Sequence, residues 1–213
     1  MQNLPPVTRV LLIANVLIFL LQKYSGWDVD AYFALWPIGE PELMRTADGG
    51  AIEVGFHFWQ IVTYGFLHGG WEHLAFNMFA LWMFGGPVET ALKTNRFVLY
   101  YFVCVIGAAM AQLAVIQFFN PEGFYPTVGA SGGVFGLLVA FALIFPGARI
   151  ALIFFPVPIP ATIAVVGYLV IEFVLGVTGS QEGVAHFAHI GGALAGYVLL
   201  QTWRTRRLRG PEN

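Results

Sequence analysis

The chain has 213 residues, of which 58% are hydrophobic and 10% are charged, and its formal net charge at pH 7 is −2. An ordinary soluble domain carries roughly 25% charged residues, so this composition excludes a soluble globular protein. It predicts a polytopic membrane protein.

Several apolar stretches are long enough to cross a hydrocarbon core of about 30 Å, which takes about 17 to 25 helical residues. In chain order they cover residues 8–24, 72–88, 96–118, 128–145, 160–177 and 185–203. The first has no basic stretch before it and no small-x-small cleavage site after it, so we interpret it as a span and not as a signal peptide. The sequence therefore predicts an all-α membrane protein with six spans, forming a single domain over residues 1–213.

The segments between the spans have distinct compositions. Residues 25–57 form the largest, and their aromatic side chains predict a loop that lies on the outer bilayer interface. Pro156, Pro158 and Pro160 precede the fifth span and predict an irregular segment at the cytoplasmic edge. Cys104 is the only cysteine, which excludes an intrachain disulfide and argues against a thiol nucleophile.

The basic residues predict the orientation, because Lys and Arg beside the spans prefer the cytoplasm. An even number of spans puts both termini on one side, together with most of the basic residues: Arg9, Lys93, Arg96, Arg149, Arg204, Arg206, Arg207 and Arg209. Only Lys23 and Arg45 fall on the other side. We therefore expect both termini in the cytoplasm, and topology explains the basic tail 204–213 better than a nucleic-acid partner does.

The polar residues inside the spans collect at one depth. In this orientation the second, fourth and sixth spans run inward, so that their first turns lie in the outer half of the membrane. Those turns carry the histidines and the other polar residues of these spans: His73, Asn77, Ser131, His186 and His189. Polar groups in lipid cost free energy and usually mark function, which predicts one site built from three segments.

Ser131 stands in Gly129-Ala130-Ser131-Gly132, at the start of the fourth span. A serine in such a helix often only bonds the carbonyl one turn back. The glycines around it, Gly129, Gly132, Gly133 and Gly136, each lower helix propensity by about 1 kcal/mol relative to Ala. That cost indicates a close approach of another helix or of a substrate. A helix that begins near Ser131 also leaves free N–H groups beside the hydroxyl, as an oxyanion would require.

His189 precedes Gly192 and Gly196, a small-xxx-small pattern that predicts tight packing on a neighbouring helix. If that neighbour is the fourth span, His189 can reach Ser131. The alternative is a histidine that bonds a carbonyl in the core. His186 lies three residues earlier on the same face, where structural support or water binding is expected.

His73 and Asn77 are spaced i,i+4 and share one helical face, so both can donate hydrogen bonds to one point. The alternative is that they bond each other or a loop. His68 lies before this helix, where we expect it to brace the loop.

Together these motifs resemble the rhomboid proteases, in their bacterial six-span form. The resemblance covers about residues 57–196 and is carried by Trp59-Gln60-Ile61-Val62-Thr63-Tyr64 with Phe66-Leu67-His68, the spacing of His68, His73 and Asn77, Gly129-Ala130-Ser131-Gly132, and Ala188-His189-Ile190-Gly191-Gly192. It implies a catalytic dyad of Ser131 and His189 without an aspartate. It also implies an oxyanion site formed by His73, Asn77 and the Ser131 backbone N–H.

Two residues depart from the usual family pattern. Phe135 stands where many relatives have a tyrosine that packs against the catalytic imidazole, and an aromatic ring without a hydroxyl can fill that role. Gln60 replaces the arginine of the family's Trp-Arg pair.

The resulting hypothesis is an intramembrane serine endopeptidase of the bacterial cytoplasmic membrane that needs no cofactor and no metal. Its substrates would be transmembrane proteins, single-span or other, that enter from the lipid past the fifth span. We expect a water-accessible cavity open to the extracytoplasmic side and capped by the loop near Gly179 to Gly183.

Three alternatives remain. Paired histidines, as His73 with His189 or as His68/His73 and His186/His189, could bind haem or a transition metal. A non-catalytic relative would only bind membrane clients. A proton-coupled carrier would need a buried acidic relay, for which Glu172 is the only obvious candidate.

Overall fold

The computed structural model describes residues 4–46, 49–120, 122–152, 155–179 and 185–209. All six predicted apolar stretches are helical there, as α1 (Pro6–Tyr24), α4 (Trp71–Ala80) continued by a π-helical turn (Leu81–Gly85) and α5 (Gly86–Leu92), α6 (Thr94–Phe119), α7 (Ser131–Ile144), α8 (Ala161–Thr178) and α9 (His186–Arg209). By length and composition, α1, α6 and α8 can cross a membrane, and α7 is a shorter apolar helix. The prediction of a mainly helical membrane protein is confirmed.

Helices α6, α7 and α9 pack against one another, and glycines make the close approach possible. A Cβ on Gly192 of α9 would lie 3.0 Å from the Cα of Gly132 on α7, so the two helix backbones are in direct contact. This confirms α7 as a neighbour of α9. Gly196 contacts Tyr100 and Cys104 of α6 instead.

One end of the bundle is held by polar contacts between helix termini. The carboxylate of Glu89, in α5, accepts hydrogen bonds from the backbone N–H of Val7 (3.0 Å) and Thr8 (2.7 Å) and from the Thr8 hydroxyl (2.8 Å). It therefore satisfies free N–H groups at the start of α1. The Arg96 guanidinium lies 5.5 Å from the centre of the Trp203 ring. The start of α1, the end of α5, the start of α6 and the last turns of α9 thus share one end of the bundle.

The segment between α1 and α4 contains α2 (Val29–Phe33), strands β1 (Glu42–Arg45) and β2 (Ala51–Val54), α3 (Gln60–Thr63) and a 3₁₀ turn (Tyr64–Phe66). The fully buried Gln60 anchors it. The backbone N–H groups of Trp36 and His57 donate to its Oε1 (3.3 and 3.1 Å), and its Nε2 donates to the carbonyls of Tyr32 and Gly55 (3.3 and 3.0 Å). A glutamine therefore supplies a polar anchor at the position where the resemblance implies an arginine.

The expectation of an irregular segment before α8 is wrong. Strand β3 (Arg149–Leu152) pairs antiparallel with β4 (Phe155–Pro160), and Arg149 lies opposite Pro160. A two-stranded ribbon has no central strand, so prolines that lack an N–H can be accommodated in it. The proline pattern correctly excluded a helix, but it did not exclude a strand.

Candidate active site

Ser131 and His189 are brought together by the contact between α7 and α9. Ser131 is the first residue of α7, and His189 lies in the first turn of α9. The Oγ of Ser131 is 2.8 Å from the Nε2 of His189, a hydrogen-bond distance. The backbone contact between Gly132 and Gly192 lies next to this pair and sets the separation of the two helices. The predicted contact between hydroxyl and imidazole is therefore present.

The ring of Phe135 packs flat against the imidazole of His189, with ring centroids 4.4 Å apart and an angle of 9° between the planes. Phe135 lies four residues after Ser131, so it reaches the same side of α7. A second aromatic ring, that of Tyr168 on α8, lies 5.0 Å from Phe135. The stacking contact expected for this aromatic residue is present without a hydroxyl.

His73 lies beside the serine because residue 129 is a glycine. Gly129 has a φ of +130°, which strongly favours glycine. A Cβ there would lie 2.8 Å from the Nε2 of His73 and 3.5 Å from the Oγ of Ser131. The Nδ1 of His73 accepts a hydrogen bond from the backbone N–H of Gly69 (3.3 Å), so a neutral ring carries its proton on Nε2. That N–H borders the space next to Ser131.

Asn77 is buried one turn after His73. Its Nδ2 donates to the backbone carbonyl of His73 at 2.9 Å. This contact agrees with the alternative drawn from the sequence, in which His73 and Asn77 bond each other. A side-chain amide has two N–H hydrogens, so this bond uses one of its two donors. The oxyanion role of His73 and Asn77 stays a prediction.

His68 is fully buried before α4. Its backbone N–H donates to the Oε1 of Gln22 (3.1 Å) and its carbonyl accepts from the Nε2 of Gln22 (3.0 Å), which ties this segment to α1. Its ring meets that of His73 edge-on, 5.1 Å away. Burial, and secondarily the nearby His73, lower the pKa of His68 to about 3, so the ring is neutral at physiological pH.

Glu172, on α8, contacts two histidines of α9, His186 and His189, and these three residues form the Glu172 cluster. The sequence predicted no role in the site for Glu172. Its Oε2 lies 2.8 Å from the Nδ1 of His189 and 2.7 Å from the Nδ1 of His186. The signal was available, since a lone acid in an apolar helix usually pairs with a partner inside the protein. The identity of the partner was hidden because the three residues lie on two helices.

The structure shows which side chains could hold a metal ion, as the haem or metal alternative requires. Among the described residues, Glu172, His186 and His189 form a group whose possible ligand atoms all lie within 4.8 Å of one another. The pairs proposed from the sequence were histidines alone, whereas this group includes a carboxylate.

The loop expected to cap the cavity, near Gly179 to Gly183, lies outside the described residues except for Gly179, which follows the last residue of α8 and has a φ of +64°.

Comparison with known proteins gives consistent matches. A family model described as "Rhomboid domain" matches residues 55–206. The chain is 33% identical over 145 residues to Rhomboid protein 1, mitochondrial, of Saccharomyces cerevisiae, which covers 65% of this chain and 40% of that protein. It is 30% identical over 197 residues to Rhomboid protease GluP of Bacillus subtilis, covering 92% of this chain and 34% of that protein. It is 32% identical over 156 residues to Rhomboid-like protein 11, chloroplastic, of Arabidopsis thaliana, covering 67% and 51%. The matches thus span about a third to a half of the length of these relatives.

Proposed function

This chain belongs to the rhomboid family, and we propose that it is an intramembrane serine endopeptidase. Ser131 is the nucleophile of the proposed reaction and His189 is its base. The substrates are transmembrane proteins, which are cleaved within or next to a membrane-spanning segment.

The observation that carries the proposal is the 2.8 Å contact between the Oγ of Ser131 and the Nε2 of His189. A serine hydroxyl inside an apolar helix ordinarily bonds a carbonyl of its own helix. The Ser131 hydroxyl instead meets an imidazole from another helix, at a helix start where backbone N–H groups lack helical partners. Nucleophile, base and backbone donors therefore lie within reach of one reacting carbonyl.

In the proposed mechanism, His189 takes up a proton and gives it up again in each half of the reaction. His189 takes the hydroxyl proton on Nε2 while Oγ bonds the substrate carbonyl carbon, which leaves negative charge on the carbonyl oxygen. The Ser131 N–H, His73 and Asn77 stabilise that oxygen. His189 then returns the proton to the leaving amine as the peptide C–N bond breaks. His189 then takes a proton from a water molecule, whose oxygen bonds the acyl carbon, and gives that proton to the Oγ of Ser131 as the ester C–O bond breaks and the new carboxyl group of the substrate is released.

The proposed arrangement in the membrane uses all six long helical segments as spans. Both termini lie in the cytoplasm, in a bacterial cytoplasmic membrane, and the cavity at Ser131 opens to the other side. Substrates approach past α8, which presents apolar side chains around much of its surface: Ile163, Val166, Val170, Ile171, Phe173, Val174 and Val177 are all exposed. Such a helix has few contacts to break when a substrate enters from the lipid.

The test compares wild type with Ser131→Ala on a panel of single-span substrates in liposomes, with product masses to locate the cleaved bond. A fluorophosphonate probe measures the reactivity of the serine directly. The matched control is Thr90→Val, which removes an exposed hydroxyl bonded to the Gly86 carbonyl (2.9 Å) at the opposite end of the bundle. We expect cleavage and labelling by wild type and by Thr90→Val, and neither by Ser131→Ala. Cleavage by Ser131→Ala would refute the proposal, and a folded wild type that resists the probe would favour a non-catalytic binder of membrane clients.

A further inference from the structure

Glu172 reaches the candidate active site from α8, the helix that supplies neither the nucleophile nor the base. Its Oε2 contacts the Nδ1 of His189 at 2.8 Å, and the Nε2 on the other side of the ring contacts the Oγ of Ser131, also at 2.8 Å. Hydroxyl, imidazole and carboxylate are therefore linked in series through the two nitrogens of a single ring.

We propose that Glu172 is a positioning residue for the reaction and fixes the tautomer and the ring orientation of His189. The inference rests on the proposed function, and it replaces the two-residue arrangement implied by the family resemblance with a three-residue one in this chain.

The positions of the protons follow from the chemistry of the three groups. The Oε2 of Glu172 faces two imidazole nitrogens, an arrangement that suits an ionised carboxylate acting as acceptor. Such a carboxylate has no proton to donate, so the Nδ1 of His189 is the donor in their contact. A neutral imidazole carries a single N–H, which leaves the lone pair on Nε2 directed at the hydroxyl of Ser131. The ring is thus held in the one tautomer that can accept the serine proton.

The carboxylate also faces the charge that appears during the reaction. When Nε2 takes the proton from Ser131, the ring of His189 becomes positive, and Glu172 lies 2.8 Å from the Nδ1 of that ring. Glu172 keeps its charge and takes no proton, and the proton on Nε2 goes on to the leaving amine. Because Glu172 is only 4% exposed, water screens this interaction little.

His186 holds the carboxylate in place. Its Nδ1 lies 2.7 Å from the same oxygen of Glu172, so two imidazole nitrogens from α9 converge on one oxygen, which accepts from both in the proposed arrangement. The side chains of His186 and Glu172 are both buried. The structural support expected of His186 thus acts on Glu172, which in turn contacts His189.

The same contacts also fasten α8 to α9. The buried residues of α8 are Ala161 and Val165 near its start and Glu172 in its second half. Loss of the carboxylate would therefore loosen this half of α8 as well as release His189. The experiment must separate the effect on the histidine from the effect on the helix.

A metal ion held by the same three residues is the competing interpretation of the cluster. Ligands about 2.0–2.1 Å from a tetrahedral zinc ion stand about 3.4 Å apart. The carboxylate oxygen is instead 2.7 and 2.8 Å from the two nitrogens, which are ordinary N–H···O distances. Hydrogen bonds account for this geometry without an ion.

The test uses the full chain in detergent and in liposomes, with Glu172→Gln as the main variant because it removes the charge and keeps the size. Three quantities are measured: the rate of fluorophosphonate labelling of Ser131, and kcat and KM for a transmembrane substrate. We expect labelling and kcat to fall together, on the order of 10²- to 10⁴-fold, with little change in KM. Glu172→Asp, which keeps the charge on a shorter side chain, should recover part of the loss.

Glu89→Gln is the matched control, because it removes another buried carboxylate that makes no contact with the cluster. It should label and cleave at the rate of wild type. Ser131 is half-buried, so we expect a small probe to reach it without displacing α8. Unchanged labelling of Glu172→Gln with altered cleavage would then mean that Glu172 only docks that helix. That result, or equal activity of Glu172→Gln and wild type, would overturn the inference and leave the proposed function intact.

A measurement on wild type alone covers the case in which Glu172→Gln does not fold. Nitrogen-15 NMR of the histidine-labelled protein should show His189 protonated on Nδ1 at rest, with its signals identified as those that disappear in His189→Ala. Protonation on Nε2, or stoichiometric zinc in the purified protein, would overturn the inference. A wild type that neither labels nor cleaves would overturn the proposed function and this inference with it.

Discussion

Glu89 and Glu172 are buried to a similar degree, at 2% and 4% exposure, yet their partners differ in kind. Glu89 accepts from two backbone N–H groups and a threonine hydroxyl at the start of α1, none of which gives up a proton near neutral pH. Glu172 accepts from two imidazoles, which can gain and lose protons, and one of them contacts a serine. Burial therefore does not distinguish a carboxylate that only fastens helices from one that also contacts a candidate catalytic histidine, whereas the identity of the partners does.

This comparison predicts that changes at the Glu172 cluster act mainly on the rate of catalysis, and that changes at Glu89 act mainly on the stability of the fold.

The largest effect is expected for His189→Ala, which removes the base. Turnover should fall on the order of 10⁴-fold or more, because serine and histidine of such a pair act as one unit. The check is cleavage in liposomes together with a thermal melt. Substantial turnover by this variant would contradict the assignment of the base.

Asn77→Ala should lower kcat less, by about 10²- to 10³-fold, since one donor of several to the oxyanion is lost. The bond of its Nδ2 to the His73 carbonyl allows a second outcome, in which the residue only fixes the local helix. Steady-state kinetics separate the two outcomes. A fall in kcat at unchanged KM supports the oxyanion role, and a fall in melting temperature at unchanged kcat supports the structural one.

Glu89→Gln should cost stability, by about 1–3 kcal/mol, because the charge that accepts three hydrogen bonds at the start of α1 is lost. Urea or thermal unfolding in detergent measures the cost. Thr8→Val removes one of those three bonds and should cost less. If Glu89→Gln abolished labelling of Ser131 while the protein stayed folded, the contrast between the two carboxylates would be lost.

At neutral pH the smallest effect is expected from His68, whose ring is buried beside the site. Its folded-state pKa of about 3 lies below the unfolded value of about 6.5, so the unfolded chain binds a proton first as the pH falls. Stability from this group is complete above about pH 6.5 and is lost between there and pH 3, by up to about 1.4 kcal/mol per pH unit. His68→Phe should therefore flatten the acid side of a plot of melting temperature against pH. An unchanged slope would show that His68 does not titrate in this way.

The sequence predicted the helices well because long apolar stretches have few other solutions in a membrane. It also predicted the contact of α7 with α9, since Gly192 marks a close approach and only a few neighbours are possible. The family resemblance then linked Ser131 to His189. These features depend on local composition or on spacing within one segment.

The features that were missed are contacts between distant segments. Glu172 lies on a different helix from its two histidine partners. Glu89 bonds Val7 and Thr8 at the start of α1, 82 and 81 residues away along the chain. Gln60 replaces a charged residue with a neutral one and still makes four hydrogen bonds, which only the fold of residues 32–57 makes possible. No periodicity in one segment specifies such pairs.

The fully buried Cys104 gives the molecule a built-in reporter of its own packing. The side chain of this single cysteine lies on α6 against Gly136 of α7 and Gly196 of α9. A maleimide reagent can reach the sulfur only after these three helices separate. The rate of alkylation therefore follows opening of the bundle, and it can be measured in any variant without adding a label.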